Sequence, residues 1–180
     1  SKTLDDRALV AAMVECLDLL KNYRLGCTVI FCASVQEEIG GVGSMVASYS
    51  VEPDIALAID VTHGVTPGAP QFKAIEMDKV AITRGGNIHE KIFAMLKASA
   101  EEQNIDYVTE VMMGMSGTDA WEMQVSRGGV ATGILSPPLR YMHTSVETLS
   151  LDTLKNCAKV LAGMIKNIGP DWEEQLCLDD

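Results

Sequence analysis

The stretch at residues 27–35, Cys-Thr-Val-Ile-Phe-Cys-Ala-Ser-Val, decides the fold class that this sequence predicts. It is a continuous apolar run rich in β-branched residues, and such runs are typical of central strands that are covered on both faces. The glycine-rich stretch 40–43 breaks the pattern and opens a short helix that extends to about Tyr49. Because parallel strands covered on both faces need helical crossovers, the stretch favours an α/β fold.

The segments on either side continue this alternation of strands and helices. Residues 55–59, Ile-Ala-Leu-Ala-Ile, read as a second buried strand, while the apolar positions of 150–168 have helical spacing after Ser150. Further helices are predicted at 8–22, 88–103 and 118–126, further strands at 74–83, 107–113 and 129–135, and loops at 62–70 and 136–138. The pattern predicts a three-layer α/β fold with a mostly parallel central sheet and helices on both faces. With no repeat or linker, residues 1–180 are interpreted as one domain.

Composition excludes several classes of protein. A hydrophobic fraction of 47% and a charged fraction of 22% are ordinary for a soluble globular domain, and no apolar run is long enough for a membrane span. The net charge of −11 disfavours nucleic acid as a partner, because phosphate contacts need clustered Lys and Arg. The five cysteines form no CxxC pattern, and no signal peptide is visible, so we expect reduced thiols and a cytoplasmic protein.

Acidic residues and one histidine follow several of the predicted strands. Glu37 and Glu38 come after the first strand, Asp60 ends the second, and His143 follows the strand and loop near 130–142. Because ligands bind outside the carboxyl ends of parallel strands, these side chains are expected to converge, together with Asp5 and Asp6 at the start of the first helix. Carboxylates with one imidazole suit Zn, Co or Mn.

Each of these residues also has an ordinary structural interpretation. An Asp pair at a helix start is usually a cap, a Glu pair in a loop is usually solvated, and a single His is usually structural. A carboxylate at Asp60, directly after a buried strand, is less ordinary, because a buried charge must be paired or bound to a metal. The joint placement of these residues favours a functional site.

Five short motifs together resemble the M42 metallo-aminopeptidases, a family that includes glutamyl aminopeptidases and the tetrahedral TET peptidases. They occur in the family's order, and the resemblance runs from about Thr3 to about Ile168. The motifs are Leu4-Asp5-Asp6-Arg7, Val35-Gln36-Glu37-Glu38-Ile39-Gly40, Ala58-Ile59-Asp60-Val61-Thr62, Gly117-Thr118-Asp119-Ala120 and Arg140-Tyr141-Met142-His143.

The resemblance implies a site for two divalent metal ions, Zn or Co. Asp5 matches the carboxylate that bridges the metals, and the Asp5–Asp6 peptide bond is expected to be cis. Glu38 and His143 match ligands of one metal, and Asp60 matches a ligand of the other. Peptides are the implied substrates, no membrane or nucleic-acid partner is expected, and the intact parent enzyme is expected to form homo-oligomers.

The catalytic assignment also comes from the resemblance. Glu37 matches the general base, which takes a proton from the attacking water and delivers it to the leaving amine. Thr118 and Asp119 match a loop near the substrate. Met112, Met113 and Met115 are candidates for an apolar pocket wall, although Met is more often core filler.

Two features of the family have no counterpart in these 180 residues. They are a His ligand in an upstream HxD motif and an inserted β-rich dimerisation domain, so the chain resembles the C-terminal part of the catalytic domain, without its N-terminal strands. Neither His63 nor His89 lies in an HxD sequence. One metal would keep only Asp5 and Asp60, so we expect one bound metal or none, crowded carboxylates that take up protons, an exposed sheet edge and little peptidase activity.

Two other functions remain open from the sequence. One is a non-catalytic, degenerate relative that keeps a partial metal site for binding or assembly. The other is a two-metal carboxypeptidase or deacylase, in which Arg140 or Arg84 would hold a substrate carboxylate. The retention of the acids and His143 disfavours the first, and the complete motif set disfavours the second.

Overall fold

Strands and helices alternate along the chain, largely where the sequence predicts them. The computed structural model describes residues 1–68 and 74–178. Its helices are α1 Leu4–Leu20, α2 Val42–Val51, α3 Glu90–Glu102, α4 Ala120–Met123, α5 Leu151–Lys166 and α6 Trp172–Leu176, with a 3₁₀ turn at Glu37–Ile39. Its strands are β1 Ile55–Ile59, β2 Thr62–His63, β3 Val80–Gly85, β4 Tyr107–Met112, β5 Ala131–Ser136, β6 Pro138–Arg140 and β7 Thr148–Leu149. Part of the predicted loop at 62–70 lies outside the described residues.

The main sheet has the strand order β1-β5-β3-β4. The pairs β1–β5 and β3–β4 are parallel, and β3 pairs with β5 in the antiparallel sense through Ala81 with Ser136 and Ile82 with Leu135. A small second sheet, β2-β6-β7, extends from the ends of β1 and β5. The prediction of a mostly parallel sheet is confirmed. The predicted loop at 136–138 is wrong at both ends, because Ser136 is the last residue of β5 and Pro138 is the first residue of β6. Proline is tolerated at the first position of a strand because its missing amide is not needed there.

Helices cover both faces of the main sheet, as predicted. On one face α3 and α5 contact β3 and β5, and α1 packs against α5. On the other face α4 contacts β1 and β5, where Ala120 packs with Ala58 and Ile134. The predicted start of a helix after Ser150 is confirmed, and the Ser150 hydroxyl caps α5 by accepting a hydrogen bond from the amide of Thr153 at 3.3 Å. No helix in the described part of the chain is both long and apolar enough to cross a membrane.

The segment 27–35 is not a strand of the sheet, so its prediction as a central strand is wrong. Its side chains alternate between half-buried and exposed positions: Cys27, Val29 and Phe31 pack on the core, whereas Ile30 and Cys32 face outward. Within the described residues no strand pairs with it. Apolar β-branched composition favours an extended backbone, but a central strand also requires neighbours on both sides.

Candidate functional site

The two aspartates at the start of α1 do not cap the helix. Asp5 and Asp6 have non-helical backbone angles, and the side chain of the N-cap residue Thr3 makes no capping hydrogen bond. The Asp5–Asp6 peptide bond is cis, which confirms the expectation from the resemblance. The side chain of Asp5 is only 7% exposed. The interpretation of this pair as a helix cap is therefore wrong. The Asp5 carboxylate instead lines the candidate pocket.

The turn that carries Glu37 and Glu38 is shaped by the glycines that follow it. Gly41 adopts a left-handed conformation (φ 61°), and a Cβ at this position would lie 2.7 Å from a carboxylate oxygen of Glu122. A Cβ at Gly43 would lie 2.2 Å from the carbonyl oxygen of Val35. Both positions therefore require glycine for the turn to close beside the site.

Asp60 and His143 approach the same place from the strand ends. Asp60 directly follows β1, is buried, and its Oδ1 accepts a hydrogen bond from the amide of Val61 at 2.7 Å. His143 lies in the loop after β6, where its Nε2 is 3.0 Å from Asp5 Oδ2 and 3.2 Å from Glu38 Oε2. The predicted convergence of these side chains at the ends of the strands is thus observed.

These residues line one open pocket of about 340 Å³. Asp5, Glu37, Glu38, Asp60 and His143 form its polar side, with Glu122 as a further acid. The remaining side chains on its wall are Val61, Met115, Thr118, Trp121 and Met142. Among the described residues that line the pocket, none is Lys or Arg. The pocket is therefore strongly acidic, which suits cations and amines.

Two groups of potential metal ligands overlap at Asp5. Asp5, Glu38 and His143 form the first, and Asp5, Asp6 and Asp60 form the second; within each group the ligand atoms lie within 4.8 Å of one another. Asp6 is the member to which the sequence assigned no metal-binding role, although Asp5 and Asp6 were both expected near the site. With Asp6, the second group has three carboxylates where the sequence predicted two.

The protonation behaviour of the acids reflects their crowding. Burial, with added repulsion from Asp60, raises the pKa of Asp6 to about 9. Burial and the charge of Glu37 raise the pKa of Asp60 to about 8, and burial and the charge of Asp119 raise that of Glu37 to about 7. The pKa of Asp5 is also raised, mainly by burial. The expected crowding of carboxylates is confirmed, and a bound divalent cation would relieve it.

Only some of the remaining candidate residues reach the pocket. Thr118 lines the pocket, while the Asp119 carboxylate accepts a hydrogen bond from the Ser34 hydroxyl at 2.6 Å. Met115 is on the pocket wall, but Met113 is almost fully exposed. Arg84 pairs with Glu90 at the surface. His63, His89, Arg140 and Met112 are also absent from the pocket lining among the described residues.

Three further residues escaped the sequence interpretation. Trp121 and Glu122 reach the pocket from α4, three and four residues after Thr118, a spacing that places them one helical turn away. Glu147 is buried, and its carboxylate accepts hydrogen bonds from the backbone amides of Leu4 and His143. In the sequence, Glu147 could have been noticed because it follows the candidate ligand His143 by four residues. Its hydrogen bonds, however, are visible only in the structure.

Comparison with known proteins identifies the family. The model of the M42 glutamyl aminopeptidase family matches residues 1–160. The chain belongs to the M42 peptidase family. Among curated M42-like relatives, the lysyl aminopeptidase of Pyrococcus furiosus is 34% identical over 168 residues, which is 93% of this chain and 48% of that protein. The chain spans about half the length of the curated relatives that it matches.

Solved M42 structures have the same fold. An aminopeptidase from the archaeon Desulfurococcus kamchatkensis is 32% identical with a TM-score of 0.89, over 100% of this chain and 52% of that chain. The TET1 peptidase of Pyrococcus horikoshii, which can assemble into a tetrahedron or a large octahedral shell, is 29% identical with a TM-score of 0.74. That match covers 92% of this chain and 49% of the TET1 chain.

Proposed function

We propose that this chain carries the metal ligands and the general base of a metal-dependent aminopeptidase, which removes N-terminal residues from peptides. The observation that carries the proposal is the approach of His143 Nε2 to both Asp5 and Glu38, at 3.0 and 3.2 Å, from three separate parts of the chain. A carboxylate pair with one imidazole is a donor set that zinc and cobalt accept. Membership of the M42 family supports the assignment.

Two divalent cations fit the residues at this site. Glu38 and His143 would hold one, Asp6 and Asp60 the other, and Asp5 would serve both. Such cations supply charge that polarises a carbonyl group and lowers the pKa of water. We propose that the 180 residues hold one such ion at Asp5, Glu38 and His143 and bind the second weakly or not at all, because the second group offers no imidazole. For the same reason little turnover is expected from the chain by itself.

Glu37 is the proposed general base. It lines the pocket beside the metal ligands without belonging to either group. Burial, with repulsion from Asp119 and Glu38, raises the pKa of Glu37 to about 7. This value belongs to the metal-free chain, and bound cations would lower it. The ionised Glu37 carboxylate could then take a proton from water and return it to the leaving amine.

The charge of the pocket favours a free amine over a carboxylate in the substrate. Its described lining combines several acids with no Lys or Arg, so a substrate N-terminus would be attracted and a C-terminal carboxylate repelled. A carboxypeptidase would instead need a cation such as Arg84, which is paired with Glu90. Thr118 and Asp119 are proposed to shape the substrate side, and Met115 and Trp121 to provide apolar contacts. Homo-oligomers are proposed for the whole protein.

Metal titration and a substrate panel test the proposal. Calorimetry with Zn²⁺ or Co²⁺ should show binding to the chain, and replacement of the imidazole in His143→Ala should weaken it at least tenfold. Aminoacyl p-nitroanilides with free and acetylated N-termini should separate the activities, because any release must be confined to free N-termini. Absence of metal binding would contradict the proposal, and cleavage of acetylated substrates would favour a different hydrolase. Metal binding without any turnover in a longer parent protein would favour the non-catalytic relative.

A further inference from the structure

Glu147 is a buried carboxylate that takes no direct part in the proposed chemistry. It lies just before β7, and the residue is only 3% exposed. A carboxylate in such a place is strongly unfavourable unless hydrogen bonds replace its lost water. The donors that replace this water indicate what the residue does.

Those donors are backbone amides from two distant parts of the chain. Glu147 Oε2 accepts from the amide of Leu4 at 2.6 Å and from that of Asp5 at 3.3 Å. Glu147 Oε1 accepts from the amide of His143 at 2.9 Å. One rigid carboxylate therefore joins the start of α1 to the loop 141–147, and the two joined backbones carry Asp5 and His143.

The position of the His143 ring depends on this backbone. Its side chain is 64% exposed, and among the described residues its ring nitrogen contacts the carboxylates of Asp5 and Glu38. Tyr141 and His143 both adopt left-handed conformations, with φ of 55° and 60°, which cost energy for residues other than glycine. A ring with little packing on a loop of this kind needs an anchor in the main chain.

We propose that Glu147 is a positioning residue that sets the separation of Asp5 and His143 by holding both of their backbone amides. This inference rests on the proposed metal site, since it gives that site its support. Glu147 would act only through the two ligands that it holds. Outer-shell partners of this kind typically change metal affinity by about 10- to 100-fold when they are lost.

Glu147→Gln is the sharpest substitution, because it keeps the shape of the side chain. A carboxamide has only one acceptor oxygen. Its NH₂ group must therefore face either the His143 amide or the Leu4 and Asp5 amides, and the N–H groups on that side lose their acceptor. Glu110→Gln is the matched control. The half-buried Glu110 carboxylate accepts from the hydroxyls of Thr62 and Thr83, which can rotate to accept from an amide instead.

Amide hydrogen exchange in the metal-free chain tests the anchor itself. The amides of Leu4, Asp5 and His143 should exchange slowly in the unchanged chain. In Glu147→Gln, exchange at His143 or at Leu4 should become at least about tenfold faster, while Glu110→Gln leaves it unchanged. Fast exchange at all three amides of the unchanged chain, or no change in Glu147→Gln, would overturn the inference.

Titration with Co²⁺, followed by its visible absorption, tests the consequence for the metal. Affinity should fall about 10- to 100-fold in Glu147→Gln and stay the same in Glu110→Gln. Equal affinity in Glu147→Gln would overturn the inference and leave the proposed function intact. An unchanged chain that binds no Co²⁺ would contradict the proposed function, while the exchange measurement still decides whether the anchor exists.

A second variant keeps the test decisive if Glu147→Gln does not fold. Glu147→Asp keeps the charge and both acceptor oxygens, but it is one methylene too short to reach both backbones. It is expected to lower Co²⁺ affinity at least about threefold, because one of the two ligands loses its anchor. Wild-type affinity in a folded Glu147→Asp would also overturn the inference.

Discussion

Two apolar regions of this molecule differ in how much of their side-chain surface is buried. The packed region, formed by α1, α3 and α5 on strands β3 and β5, contains most of the core. Its side chains Val80, Ile82, Ile92 and Leu96 are all 0% exposed. The open segment, residues 27–51, exposes much of its apolar surface, with Ile30 at 59%, Val35 at 66%, Ile39 at 73% and Val46 at 61%. Composition does not distinguish the two regions, whereas the presence of neighbouring elements does.

The candidate site lies across the boundary between these regions. Asp5 belongs to α1 in the packed region, whereas Glu37 and Glu38 belong to the open segment. The two metal ligands Asp5 and Glu38 therefore come from parts of the fold with different support. A bound cation would connect them and would add a constraint that the apolar contacts of the open segment do not supply.

The largest expected difference between the regions is in thiol reactivity. Cys157 and Cys16 are 2% and 0% exposed in the packed region, and burial raises the pKa of the Cys16 thiol to about 12. Cys32 is exposed on the open segment. Maleimide labelling followed by mass spectrometry should modify Cys32 about 10³-fold or more faster, because the buried thiols react only after unfolding.

Cys177, which is exposed near the end of the chain, is the control for labelling at an accessible site. It should react about as fast as Cys32. If Cys32 reacted as slowly as Cys157, the open segment would be covered in solution, and the comparison between the regions would fail.

Truncation of apolar side chains should give the next largest contrast. Leu96→Ala removes a fully buried side chain and should lower the free energy of unfolding by about 2–5 kcal/mol. Ile30→Ala, at 59% exposure, should change it by no more than about 0.5 kcal/mol. Urea denaturation followed by circular dichroism measures both, and similar losses would show that the open segment is packed.

The last comparison concerns the pH dependence of the metal-free chain. The folded pKa values of Asp6, Asp60 and Glu37, about 9, 8 and 7, lie above their ordinary values of 3.8, 3.8 and 4.5. At pH values between the ordinary and the folded pKa of each group, the folded state therefore binds more protons than the unfolded state. Its stability should be greatest near pH 4 and should fall as the pH rises towards 9, as thermal melting would show.

Zinc should reverse this trend. At pH 8 the ligands lose their protons more readily, so Zn²⁺ at about 100 times its Kd should add about 2.7 kcal/mol of stability. The same concentration should add less at pH 5, where protons compete for the carboxylates. A metal-free chain that became more stable from pH 5 to pH 8 would show that the acids are not crowded in the folded state.

Local pattern was sufficient for much of the fold and of the site. The sequence predicted β1 up to Asp60 and the start of α5 after Ser150, because these depend on neighbouring residues. It also identified Asp60 and His143 as candidates, since residues after strand ends share one edge of a sheet. Glu37 and Glu38 were identified as well, although the segment before them is not a strand. It failed at residues 27–35, where an apolar run resembles a central strand whether or not a partner strand lies beside it.

The sequence by itself determined the family, the alternation of strands and helices and the identity of most candidate ligands. These follow from short motifs and from periodicity, which act over a few residues. Only the tertiary structure decided that Asp6 joins the second ligand group and that Trp121 and Glu122 reach the pocket. It also decided that Glu147 holds amides 143 residues away in the chain, at Leu4. Such contacts depend on how distant segments meet, and no local spacing encodes them.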